Sequence, residues 1–304
     1  MKEIIISPTE EQRIDKFLLK YLNKSSKSFI YKMIRKKNIK VNNKKVEVNY
    51  ILKTNDLLTL YLSDETISKF QEKIIYKKQN PLNIVYEDNN MLILNKPVGL
   101  LCHGDKNEND NILINQILYY FQEQKIIFEN GFVPGLCNRL DRNTSGLVVC
   151  GKTLKSTQEL NRKFHDKEIE KYYLTILDGE LENKKELLGY HVKDNNKVSI
   201  FDIEVENSKK VHSIVTPLKN NSKNTYCEVQ LITGKSHQIR VHMQNIGAPI
   251  IGDKKYGRES TNKFFSKKYN LDHQLLHCYK IIIDNKEYTC KPNNKFTEIY
   301  KKEF

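Results

Sequence analysis

The sequence has no apolar run near the ~18 residues that a membrane-spanning helix requires, and residues 1–10 lack the apolar centre of a secretory leader. Membrane and secreted classes are therefore not expected. No two of the six cysteines (102, 137, 150, 227, 278 and 290) stand at C-x-x-C spacing. A chain of 304 residues can build a core without disulfides, so reduced thiols in a cytoplasm are expected. His237 and His242 are five residues apart, on opposite faces of a strand or ~140° apart on a helix. With no cysteine or carboxylate at ligand spacing beside them, no metal is expected. Internal repeats and low-complexity tails are also lacking. Acidic residues are scarce, 37 against 51 Lys plus Arg, which leaves +14. That excess suits a polyphosphate partner, but an AT-rich coding sequence would also produce it, so its distribution has to decide.

What is present fits about two domains at roughly 150 residues each, with 38% hydrophobic and 29% charged residues to build them. In the first 62 residues, Ile14, Phe17, Leu18, Tyr21 and Leu22 repeat at helical spacing. Ser25 or Ser26 can cap a second helix that carries Ile30, Met33 and Ile34 on its apolar stripe. Ile39–Val41, Asn42-Asn43 and Lys44–Val46 read as strand, turn and strand, and Leu57–Leu62 as a further strand. This unit holds 14 Lys plus Arg and 6 Asp plus Glu, so +8 of the total lies in a fifth of the chain. Between Lys24 and Lys45 there is no acidic residue. Lys24, Lys27, Tyr31 and Arg35 step by three, four and four onto one helical face, where a merely solvated face would mix both signs. Nucleic-acid binding by residues 1–62 is the expectation.

Residues 63–80 are polar and rich in Lys and Glu, a linker with some helical character. From residue 81 to 304 the apolar runs are short: Ile84–Tyr86, Met91–Leu94, Leu147–Val149, Tyr172–Leu177, Cys227–Ile232 and Ile281–Ile283, with helical spacing over Leu154–Asp166. An α+β domain with a strand-rich, mixed and mainly antiparallel sheet follows. Gly146 to Thr153 satisfies G-x-x-x-x-G-K-[ST], the phosphate-cradling loop. That mechanism needs a strand before the first glycine and a loop between the glycines. Here Asn138–Ser145 is polar and Leu147–Cys150 is itself the strand, so no nucleotide cofactor is expected.

Two polar constellations carry the chemistry. In Asn138-Arg139-Leu140-Asp141-Arg142-Asn143-Thr144-Ser145-Gly146, an aspartate sits between two arginines in a turn feeding a buried strand. Guanidinium groups favour an ionised carboxylate and also attract phosphate. A surface ion pair would look the same from these residues alone. In Thr233-Gly234-Lys235-Ser236-His237-Gln238-Ile239-Arg240-Val241-His242, donors crowd behind a glycine that permits close backbone approach to a ligand, though an ordinary capped loop shares that pattern.

Residues 12–62, through R-I-D-K-F-L and K-S-F-I-Y-K-M-I-R-K-K-N-I-K-V-N-N-K-K-V, resemble the small RNA-binding module of ribosomal protein S-four. Residues 81–290 resemble the RluA-type pseudouridine synthases, and the N-terminal K-S-F-I-Y-K-M-I-R-K is similar to the RluC subgroup. The stretches carrying this are I-V-Y-E-D-N-N-M-L-I-L-N-K-P-V-G-L-L-C-H, N-R-L-D-R-N-T-S-G-L, K-Y-Y-L-T and L-I-T-G-K-S-H-Q-I-R-V-H, then I-G-A-P-I-I-G-D-K-K-Y-G and L-L-H-C. The resemblance implies that Asp141 is the catalytic aspartate and that Arg240 pairs with it. It implies that Tyr173 stacks on the target base and that Arg139 enters the RNA beside the extruded nucleotide. Arg142 and His237, with Lys24, Lys27, Tyr31 and Arg35, are the other expected RNA contacts. Asn138 and Asn143 stand where the family pattern has His and Asp; both leave the aspartate in place.

The residue types suit isomerisation of uridine, which needs one ionised carboxylate and neither metal nor organic cofactor. A base inside folded RNA must be flipped out and held by stacking. The expected partner is ribosomal RNA, of the large subunit in the first place and transfer RNA in the second, met by a monomer in the cytoplasm. A non-catalytic RNA-binding ribosome assembly factor is the alternative from another class. A methyltransferase bearing the same N-terminal module is disfavoured, because no two glycines stand at G-x-G spacing.

Overall fold

The computed structural model describes residues 1–7, 11–71, 75–105, 108–126, 132–194 and 197–304. The first unit comprises β1 (Lys2–Ile5), α1 (Ile14–Tyr21), α2 (Lys27–Arg35), β2 (Ile39–Val41), β3 (Leu57–Leu60) and α3 (Asp64–Phe70), with sheet order β1-β3-β2, all antiparallel. Ile14, Phe17, Leu18 and Leu22 are completely buried, as their spacing predicts. Burying each such side chain contributes ~1.5–3 kcal/mol against the exposed state. Ser26 starts α2 by accepting the Phe29 N–H at 3.1 Å, and Ile30, Met33 and Ile34 close the same core.

One local expectation changes, and the helical character expected of residues 63–80 takes a definite form. Lys44–Val46 forms no strand: Asn42 and Asn43 both take positive φ, and Val41 meets Lys44 through a single bridge. The Asn42 side chain donates to Asp56 at 2.7 Å and accepts the Leu57 N–H at 2.9 Å, so the turn is tied to the front of β3 and β3 becomes the partner of β2. In the segment read as linker, Ser63 accepts the Thr66 N–H and begins α3. Ile67 is buried in the N-terminal core and Phe70 lies against Phe29, ring centroids 4.5 Å apart. Residues 72–74 of that segment lie outside the described residues.

The second unit runs β4 (Ile84–Glu87), β5 (Met91–Lys96), α4 (Leu113–Glu123), β6 (Gly135–Leu136), β7 (Ser145–Gly151), α5 (Leu154–His165), β8 (Glu170–Asp178), β9 (Lys185–Asp194) and β10 (Lys197–Phe201). It continues with β11 (Lys209–Asn220), β12 (Asn224–Leu231), α6 (Gln238–Asn245), α7 (Glu259–Tyr269), β13 (Leu276–Ile283), β14 (Lys286–Thr289) and α8 (Asn294–Glu303). The sheet order is β10-β9-β11-β12-β8-β13-β7-β5-β4, with β14 on β13 and β6 on β7. Among the described strands only β7 and β13 pair in parallel, which makes the sheet mixed and mainly antiparallel. Its apolar core gathers Leu92–Leu94, Leu147–Cys150, Ile117, Phe121, Val229 and Met243.

β7 explains both glycines of the phosphate-loop pattern. Gly146 and Gly151 are residues of one continuous strand in register with Lys96 and Met91 of β5, so no loop lies between them. Gly146 has φ +117°, and a Cβ there would lie 2.2 Å from the Cys278 carbonyl oxygen. Only glycine fits so near the parallel neighbour. Lys152 is held by Glu87 at 2.7 Å, and Thr153 caps α5.

Candidate active site

The turn before β7 is fastened at several points. The Asn138 side chain mimics a ladder residue: its Oδ1 accepts the Val149 N–H at 2.8 Å and its Nδ2 donates to the Leu147 carbonyl oxygen at 3.2 Å. The Leu140 N–H donates to the Cys102 sulfur at 3.4 Å, and the Asp141 carbonyl accepts the Thr144 N–H at 3.1 Å. Lys96 is completely buried, and its ammonium donates to the carbonyls of Pro97, Leu100 and Arg142 at 2.8, 2.8 and 3.1 Å. Burial pushes its pKa down to about 8, although the Asp141 charge favours the cation. These ties leave the Asp141 side chain 30% exposed, facing a cleft of about 1060 Å³.

Across the cleft, α6 supplies the partner. Arg240 Nη1 donates to Asp141 Oδ2 at 2.9 Å. Its other edge is forked by Asp253, with Nε to Oδ2 at 2.6 Å and Nη2 to Oδ1 at 2.9 Å. Asp253 is completely buried and also accepts the backbone N–H groups of Lys255 and Tyr256. Burial works against the Arg240 cation, but the hydrogen bonds and charges of Asp253 and Asp141 more than offset it and raise its pKa. Burial would likewise raise the Asp253 carboxyl, and Arg240 with the two amides holds it below its usual value. One guanidinium thus bridges a buried carboxylate that fixes it and a cleft-facing carboxylate that it orients.

His237 precedes α6 with φ 55°. Its Nδ1 lies 2.8 Å from the Tyr256 hydroxyl and its Nε2 3.9 Å from Asp141 Oδ2. Burial lowers its pKa, helped by Arg240 and Lys255 and opposed by Asp141. The Tyr256 ring lies under the Arg240 guanidinium, 5.0 Å from its carbon, an arrangement that favours the cation. Tyr173, on β8 in register with Cys278, lines the cleft and is 5% exposed. Burial and the adjoining Cys278 thiol push its hydroxyl pKa well up, so it stays a neutral phenol.

The structure therefore brings Asp141, Tyr173, Arg240, His237, Arg139 and Arg142 to one cleft. Arg139 is exposed there. Arg142 is engaged by Glu108 at 2.6 Å and Asp105 at 3.5 Å. The N-terminal quartet is less uniform than its spacing predicts. Lys24 precedes α2, Lys27 lies over the Tyr31 ring, and Arg35 is exposed. Tyr31 turns its hydroxyl to Asp15 at 3.0 Å. Sequence reasoning missed Asp253 and Tyr256 as site residues, because G-D and Y-G read as turn chemistry. Lys96 was missed because lysine is rarely buried.

A mixed sheet thus carries a strand-entry aspartate paired to a helix arginine over a polar cleft, an arrangement suited to nucleophilic or acid–base chemistry by one carboxylate. The profile of the family described as RNA pseudouridylate synthase matches residues 90–245, and that of the S4 domain matches residues 12–58. An RNA pseudouridine synthase of Mycoplasma capricolum is 37% identical over 266 residues, 86% of each chain. Ribosomal large subunit pseudouridine synthase C of Buchnera aphidicola (subsp. Schizaphis graminum) is 32% identical over 279 residues, 89% of this chain and 85% of that one. In solved structures, human RNA pseudouridylate synthase domain containing 4 has the same fold, with a TM-score of 0.59 at 21% identity over 72% of this chain and 92% of that one. The chain belongs to the RNA pseudouridine synthase family, with an S4 domain at its N-terminus. It is an isomerase that acts on RNA.

Proposed function

We propose that the enzyme isomerises uridine in large-subunit ribosomal RNA, with Asp141 as the reacting carboxylate. The observation that carries this is the Asp141–Arg240–Asp253 chain: a buried carboxylate and a buried cation hold one partly exposed carboxylate at the cleft. The relatives named for the large ribosomal subunit support the choice of RNA. In the reaction the N1–C1′ bond breaks, the uracil turns, and C5 bonds to C1′; the C5 proton is released and N1 takes one up. Asp141 serves as nucleophile or as base at the sugar, Tyr173 stacks on the base, and Arg139 enters the RNA where the nucleotide left. His237 stands beside the carboxylate, and Arg142 keeps its turn in place through Asp105 and Glu108.

The S4 domain would add a second attachment through Lys24, Lys27, Tyr31 and Arg35, and two linked attachments bind far more tightly than either alone. Because Ile67 and Phe70 pack with that domain, we place its end after α3 and the linker in the residues up to 80. A monomer acting on ribosomal RNA in the cytoplasm completes the reading. Mapping pseudouridine in ribosomal RNA from cells with and without this gene tests it: a site lost from large-subunit RNA is expected, and an unchanged large-subunit map with a site lost from transfer RNA would overturn the choice of substrate.

A further inference from the structure

Lysine is seldom buried without an anion, since desolvating its ammonium costs several kcal/mol. Lys171 departs from that. It is 6% exposed, yet among the described residues it makes no hydrogen bond or ion pair; its ammonium lies over the Phe164 ring, 5.9 Å from the centroid. Burial correspondingly lowers its pKa. The ammonium is directed at the cleft. A Cβ placed on Gly234 would have Lys171 Nζ, at 4.0 Å, as its sole neighbour within that range, so any longer side chain at 234 would grow toward the space before the cation.

Strand geometry places this ammonium with respect to the chemistry. Lys171 and Tyr173 are two apart on β8 and share the face toward the cleft, about 6.8 Å apart along the strand. That is close to the spacing of successive phosphates along one nucleic-acid strand. Among the described residues, the carboxylates lining the cleft are Asp141 and Asp105, and both already face arginines. The charge left to be matched there is positive, and its most buried member is Lys171.

We infer that Lys171, with the open space at Gly234, is a phosphate subsite that takes one of the two backbone phosphates flanking the target uridine. It is a positioning residue: by holding that phosphate it sets where the flipped nucleotide stops relative to Tyr173 and Asp141. The inference rests on the enzyme reading above and deepens it. The ligand is specified by chemistry alone, a phosphodiester monoanion meeting one ammonium at the wall of the cleft.

The test is a double-mutant cycle on the full-length protein. The probe is an RNA fragment carrying the mapped target uridine, with a neutral methylphosphonate at its 5′ or 3′ linkage. The matched control has the same deoxy sugar and an ordinary phosphate. Lys171→Met keeps the stem and removes the charge; Lys171→Arg restores the charge. On the control RNA, Lys171→Met should bind about tenfold more weakly and Lys171→Arg within about threefold of the parent. The slope of log affinity against log salt should fall by ~0.7 in Lys171→Met. For one linkage, neutralising the phosphate should weaken the parent about tenfold and Lys171→Met by less than twofold. Equal losses in parent and Lys171→Met at both linkages would overturn the subsite. So would a Lys171→Arg as defective as Lys171→Met with parental melting temperature, since that is a packing effect. Product formation by the parent, measured on the same RNA, tests the enzyme reading separately: a parent that binds but forms no pseudouridine refutes that reading while the cycle still decides the phosphate contact.

Discussion

Replacing Asp253 by Asn should damage catalysis from a position that no RNA can reach. Asp253 is completely buried and provides two of the three carboxylate contacts of Arg240. Removing one partner of a buried ion pair typically costs about 3–5 kcal/mol. Asparagine keeps one oxygen for the Lys255 and Tyr256 amides, and Asp141 still neutralises Arg240, so we take about 2–3 kcal/mol. At ~2–4 °C per kcal/mol, the melting temperature should drop by about 5–10 °C. The acid limb carries a second signature. Asp253 is held below its usual value, so its increment of stability is present above the unfolded value near 4 and lost as pH falls through the folded one. The gap between parent and Asp253→Asn should therefore be widest near neutrality and narrow toward pH 3. With the second fork gone, Arg240 no longer holds Asp141 in one place. The single-turnover rate should fall roughly 10–100-fold, as small misplacements of reacting groups do. RNA affinity should stay within about threefold. Differential scanning fluorimetry across pH, with single-turnover assays on the same protein, reads all of this. A variant with parental rate, or a stability gap that does not change with pH, would refute the role given to Asp253.

Deleting residues 1–71 removes the whole N-terminal core through α3 and should leave a folded catalytic unit with weaker RNA binding and a flatter salt dependence, checked by filter binding between 50 and 300 mM salt. Unchanged affinity and slope would assign the S4 domain another task. Tyr173→Phe should retain stacking and most of the rate, whereas Tyr173→Ala should lose stacking worth ~1–3 kcal/mol and leave a cavity costing ~3–5 kcal/mol of stability. A folded Tyr173→Ala with parental activity would show that the ring only fills the floor of the cleft.

Local periodicity carried the helices and most strands, because an apolar residue every three or four positions, or a short apolar run, has one favourable burial. Ile14 to Leu22 and Leu147 to Cys150 are cases in point. It failed at Lys44–Val46, where two asparagines with positive φ and one side-chain tie to Asp56 decide the path, and a strand pattern contains neither. The cleft residues Asp141 and Arg240 were legible through the motifs that surround them. Asp253 was not: it lies 13 residues beyond Arg240, beside a glycine that reads as a turn, and only the folded chain brings the two together. Lys96 and Lys171 were hidden for a different reason, since residue type points them outward and only tertiary packing buries them.

The most direct test of the account is the rate of pseudouridine formation by Asp141→Asn on a large-subunit ribosomal RNA transcript, measured under single-turnover conditions beside the parent. The substitution keeps the side-chain volume and a hydrogen bond for Arg240, and removes the charge that reacts. Formation should fall by more than ~1000-fold, as for other essential nucleophiles, with RNA affinity unchanged or slightly raised. Pseudouridine formed at the parental rate by Asp141→Asn would contradict the assignment of the reaction to this carboxylate.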